Sequence, residues 1–87
     1  MNQNPTCHLI RGRGISVRVS AGEPTVVTVQ HCVERARPQI ISAIKRSGCD
    51  REIKPGVFEG AASDVSVRAL VTELRWVRFW LHRPVKR

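Results

Sequence analysis

The residues best suited to bind a ligand lie between Asp64 and Arg87, a segment with six of the fifteen basic residues and both tryptophans. Arginine binds phosphate or carboxylate through two parallel hydrogen bonds and also stacks on aromatic faces. Aromatic rings in turn stack on unpaired bases of a nucleic acid. The predicted chemistry is therefore non-covalent binding of a polyanion. The candidate residues of the segment are Arg68, Arg75, Trp76, Arg78, Phe79, Trp80, Arg83, Lys86 and Arg87.

A second candidate site is the run Arg11-Gly12-Arg13-Gly14 near the N-terminus. It resembles one repeat of the arginine–glycine tails of RNA-binding proteins, and the resemblance implies that Arg11 and Arg13 contact phosphate. A hairpin turn accounts for the two glycines equally well, because glycine readily adopts positive φ.

The sequence gives little support to catalysis or to metal binding. It contains neither a G-x-S-x-G nucleophile segment nor a glycine-rich phosphate loop. Two pairs, Cys7-His8 and His31-Cys32, could together supply four zinc ligands. Adjacent residues of a strand, however, point to opposite faces. We therefore predict a protein that is not an enzyme, with no catalytic residue, no metal site and no cofactor.

The candidate segment must be positioned by one long helix or by two strands. At about 100° per residue, apolar side chains fall on one side of a helix and basic ones on the other. The apolar side comprises Val67, Leu70, Leu74, Val77 and Leu81. Ser63 or Asp64 can cap the helix start, and Pro84 would end it. The alternative is a pair of strands, because apolar residues also alternate at 65–71 and 77–81.

The preceding residues predict an antiparallel sheet and one further helix. Alternation predicts strands at 15–20 and 25–30, and Cys7 to Ile10 can start another. Between His31 and Ser47 a helix is expected that either starts near Pro38 or is longer and kinks there, and Gly48 would end it. Residues 52–59 read as one strand, broken at Pro55-Gly56.

The predicted fold class is α+β, a small single domain over 1–87 with an antiparallel sheet packed against one or two helices. The predicted element order is β-β-α-β-α, or β-β-α-β-β-β if the last segment forms strands. Residues 1–6 are predicted to be a loose tail and residues 84–87 a basic C-terminal tail.

The charge is +8, and it is concentrated at the two ends of the chain. Such a surplus is typical of proteins that bind polyanions, although a GC-rich genome also enriches arginine. The three cysteines lack a CxxC pair, which indicates reduced thiols. The polar N-terminus is not a secretion signal, and no apolar run reaches the ~18 residues of a membrane span. The expected location is the cytoplasm.

Together these patterns predict a small basic, regulatory protein that binds nucleic acid, DNA or RNA, through its Arg/Trp-rich C-terminal element. The alternative is a phage- or plasmid-type protein that inhibits a host protein machine by docking on an acidic surface, since arginine and tryptophan are typical of interface hot spots. Binding of 75–87 to an anionic membrane surface is a third hypothesis. The oligomeric state stays open, a homodimer included.

Overall fold

The computed structural model describes residues 7–12 and 14–82, without the side chain of His82. The described elements, in chain order, are β1 (Cys7–Gly12), β2 (Ile15–Ser20), β3 (Thr25–Cys32), a 3-10 turn (Glu34–Ala36), α1 (Arg37–Arg46), β4 (Arg51–Lys54), β5 (Val57–Gly60) and α2 (Asp64–His82). The fold class is therefore α+β, as predicted. The two predicted tails, 1–6 and 84–87, lie outside the described residues.

The five strands form one antiparallel sheet in the order β1-β2-β3-β5-β4. Both predicted element orders were wrong, because the observed order is β-β-β-α-β-β-α. Residues 7–12 form a full strand, because they pair with β2 along their whole length. Pro55-Gly56 does not interrupt one strand but reverses the chain, so that 51–60 becomes a hairpin.

The core lies between one face of the sheet and the two helices. Alternate strand residues are buried on this face, among them Ile10, Val17, Val27 and Phe58. Leu9 and Arg18 of the same strands are exposed on the other face, as strand geometry requires. One face of the sheet therefore remains uncovered in the described part of the chain.

The start and end of α1 follow from its proline and glycine. The helix begins at Arg37 with Pro38 in its first turn, where a missing N–H is tolerated. It ends before Gly48, whose φ of 113° suits a residue without a Cβ. Gly60, at the end of β5, lies so close that a Cβ there would overlap the carbonyl oxygen of Gly48. The end of α1 thus touches the end of β5 through backbone atoms.

Residues 64–82 form a single helix, so the helix prediction is confirmed and the paired-strand alternative was wrong. All five residues of the predicted apolar side are buried, Leu74 and Val77 completely. In the described part of the chain, no helix has the length and apolar content needed to cross a bilayer.

Candidate nucleic-acid interface

The helix α2 is held at its start by a side-chain cap and along its length by burial of its apolar side. The backbone N–H of Ser66 donates a hydrogen bond to Oγ of Ser63 at 3.1 Å, which satisfies one of the free N–H groups of the first turn. Asp64 places a negative charge in the same turn, where the helix dipole favours it. Because the opposite side is fully buried, the outward side of α2 has a fixed orientation toward solvent.

Two large aromatic residues lie on the outward side of α2. Trp76 is 60% exposed and Phe79 is 53% exposed. Their rings are stacked on each other, with centroids 5.4 Å apart and an interplanar angle of 16°. The spacing of three residues brings them together on one helix face. The pair forms an exposed aromatic surface that is available to a partner.

Arginines accompany this aromatic pair. Arg68 and Arg75 are exposed on α2. The acidic Glu73 of the same helix binds Nη2 of Arg46 in α1 at 2.7 Å, so its charge is already paired. Among the described residues, the ion pairs present use no arginine of α2. The positive charges of Arg68 and Arg75 are therefore available to an anion.

Two other predicted site residues of α2 have structural contacts. Trp80 is half-buried and packs against the core cluster. Arg78 is half-buried as well, and its Nη1 donates a hydrogen bond to the carbonyl oxygen of Arg11 at 3.4 Å. These residues therefore connect α2 to the rest of the fold, and only part of each side chain faces solvent.

The remaining predicted site residues lie elsewhere. Arg11 is exposed at the end of β1, and its position next to the buried Ile10 places its side chain on the sheet face opposite α2. The other four, Arg13, Arg83, Lys86 and Arg87, lie outside the described residues. The structure thus brings Arg68, Arg75, Trp76 and Phe79 together and separates Arg11 from them.

The uncovered face of the sheet carries Arg11 together with three cations that were not predicted as site residues, Arg18, Arg51 and Lys54. We call it the open sheet face. Register and alternation assign to it Cys7, Leu9, Arg11, Ser16, Arg18, Ser20, Val26, Thr28, His31, Arg51, Lys54, Val57 and Glu59. The alternation of Arg18 with buried valines was a usable signal for its orientation. No comparable signal placed Lys54 on the same face, because the position of β4 depends on the sheet order.

The three cysteines are free and are not gathered into a ligand cluster. Cys7 pairs with Ser20 at one end of β2, whereas Cys32 pairs with Ile15 at the other end. The two Cys/His pairs of the sequence are therefore far apart. Burial raises the pKa of the Cys32 thiol and that of the Cys49 thiol, so both are weaker nucleophiles near neutral pH.

No protein-family model, no curated protein and no solved structure matches this chain.

Proposed function

We propose that the chain is a small cytoplasmic nucleic-acid-binding protein, regulatory rather than enzymatic, that uses the outward side of α2. The observation that carries this proposal is the exposed Trp76–Phe79 stack beside Arg68 and Arg75, whose charges are unpaired. The net charge of +8 supports a polyanionic partner. The free thiols fit a reducing compartment.

The arrangement favours single-stranded nucleic acid over a duplex. Phosphates would bind to Arg68 and Arg75, and a base would extend the stack on the outer face of Trp76 or Phe79. Stacking of a base on an aromatic side chain contributes roughly 1–3 kcal/mol. Bases within a duplex are already stacked on their neighbours, so they cannot use this surface without unpairing.

Titrations against single-stranded and double-stranded DNA and RNA at two salt concentrations test the proposal. We expect tighter binding of single strands, with log K falling by about 0.7 per phosphate contact for each unit of log salt. Replacing Trp76 by Ala should remove the preference for single strands, whereas Ser42→Ala, an exposed change on α1 outside this surface, should not. Absence of binding to every nucleic acid at low salt would refute the proposed function.

A protein partner is the second candidate function, and exposed apolar side chains on α2 favour it. Val65 is 77% exposed, and it shares the outward side of the helix with Trp76 and Phe79. Tryptophan and arginine are enriched at interface hot spots. In this reading the chain would be a phage- or plasmid-type inhibitor of a host machine with an acidic docking surface.

Affinity capture from nuclease-treated host lysate separates the two candidates. A specific protein that is retained by the wild type but lost with Trp76→Ala favours the inhibitor. Loss of all partners after nuclease treatment favours nucleic acid. Ser42→Ala serves again as the matched control, because this exposed residue of α1 lies outside the outward side of α2.

A further inference from the structure

The open sheet face carries a row of residues that crosses all five strands. Leu9 of β1 lies opposite Arg18 of β2, which lies opposite Thr28 of β3. Thr28 lies opposite Val57 of β5, which lies opposite Lys54 of β4. Arg11 is a diagonal neighbour of Arg18, because it pairs with Ser16 two positions away. Three cations from three different strands therefore lie on one side of the sheet, opposite the helices.

These cations are exposed and unneutralised. Arg11, Arg18 and Lys54 are exposed, and none takes part in an ion pair among the described residues. The one carboxylate assigned to this face, Glu59, is paired with Nη2 of Arg51. The described part of the open sheet face therefore has a positive potential that its own acidic residues do not cancel.

The spacing of the cations suits a polymer of phosphates. Neighbouring strands lie about 4.8 Å apart, so Arg18 and Lys54, three strand positions apart, are separated by roughly 14 Å. Arg11 and Arg18, as diagonal neighbours, are about 7–8 Å apart. A nucleic-acid strand rises about 3.4 Å per phosphate in a duplex. The separation of Arg18 and Lys54 therefore corresponds to about four phosphate rises of a backbone that runs along this row.

The side chains between Arg18 and Lys54 in this row are short and non-aromatic. Thr28 and Val57 are half-buried, and the Ser16 hydroxyl next to Arg11 already donates a hydrogen bond to Oε1 of Gln30 at 2.8 Å. The nearby Phe58 is buried on the helix side. The aromatic ring assigned to the described part of this face is that of His31, which lies opposite Ser16 and not in the row between Arg18 and Lys54. The row itself can therefore contact the phosphate backbone but cannot stack on bases.

We propose that the open sheet face binds the phosphate backbone of a second nucleic-acid segment, so that one molecule bridges two segments held on opposite sides. The inference rests on the proposed function, which assigns the first segment to α2. Binding at the open sheet face is independent of base sequence, and it should weaken strongly as salt rises.

A bridging assay tests the inference. The protein is bound to an immobilised single-stranded oligonucleotide, and capture of a second, fluorescent oligonucleotide is measured in two arms, one single-stranded and one duplex. The test variant is Arg18→Ala with Lys54→Ala. The matched control is Arg35→Ala with Lys45→Ala, two exposed cations outside the open sheet face whose loss changes the net charge equally.

We expect the wild type and the control to capture the second oligonucleotide and the test variant to lose at least about tenfold in capture. In the duplex arm the salt slope of the test variant should fall by about two, one for each lost phosphate contact. Binding of the first strand should change by less than about twofold, in contrast to Arg68→Ala with Arg75→Ala. Unchanged melting temperatures show that each variant is folded.

Three results would contradict one of the two proposals, and they can be told apart. If the wild type binds no first strand, the proposed function fails. If it binds the first strand but captures no second strand in either arm, the inference fails alone. Equal loss of capture in the test and control variants also overturns the inference, because the effect would then reflect net charge only.

Discussion

Leu74 and Trp76 differ by two positions on α2 but lie on opposite sides of it, and their replacement by alanine should separate stability from binding. Leu74 is completely buried, whereas Trp76 is 60% exposed. Truncating a buried leucine costs about 2–5 kcal/mol. A domain of this size has an unfolding free energy of roughly 4–13 kcal/mol. The Leu74→Ala variant should therefore lose a large share of its stability.

The size of both effects can be converted into melting temperatures. A change of 1 kcal/mol shifts the midpoint by about 4–8 °C in a domain of this size, so Leu74→Ala should melt about 10–30 °C lower. Trp76→Ala removes the stack with Phe79, which is worth about 0.5–1.5 kcal/mol. Its midpoint should fall by no more than roughly 10 °C.

The order of the two variants should reverse in a binding assay. Loss of one stacked base removes about 1–3 kcal/mol, which corresponds to a weakening of roughly 5- to 150-fold for Trp76→Ala. The Leu74→Ala variant should bind a labelled single strand like the wild type at a temperature where it is still folded. Circular dichroism melts and fluorescence anisotropy measure the two quantities. Equal losses of stability in both variants would refute the assignment of Leu74 to the buried side of α2 and of Trp76 to the exposed side. Unchanged affinity of Trp76→Ala would refute the role of Trp76 in binding.

Two further predictions concern the thiols and the close backbone contact. With the folded protein near neutral pH, a maleimide should label the exposed Cys7 first, and mass spectrometry should find Cys32 and Cys49 labelled slowly, because burial raises the pKa of both thiols. Their labelling should accelerate as the pH rises and the thiolate forms; fast labelling of Cys49 would contradict its burial. The change Gly60→Ala should lower the unfolding free energy by about 1–3 kcal/mol, because the new methyl group overlaps the Gly48 carbonyl. A denaturant melt equal to that of the wild type would contradict this contact.

The orientation of individual elements could be predicted from the sequence where one periodicity was strong. The spacing of Leu70, Leu74 and Val77 identified the buried side of α2, and with it the exposure of Arg75. The alternation in β2 identified its two faces in the same way. Local spacing is sufficient here, because it reports which side of a single element is apolar.

The arrangement of elements relative to one another could not be predicted in this way. Arg18 and Lys54 share a row only because β5 pairs with β3 and β4 with β5. That order results from long-range pairing, which no local pattern encodes. Trp76 and Trp80 show a related limit, since both flank the same side of the helical wheel but the core covers only Trp80.

The sheet order also has a consequence for local opening of the fold. The pairing of β3 with β5, from Thr25–Gly60 to Thr28–Val57, joins the β4–β5 hairpin to the N-terminal strands. All four residues of β4 are exposed, so this edge strand has little buried area to hold it and should open at low free energy. A polyanion spanning Arg18 and Lys54 would bind only the closed form. Amide hydrogen exchange of the hairpin should therefore slow upon binding. The exchange rate should fall by the same factor by which the ligand lowers the population of the open form.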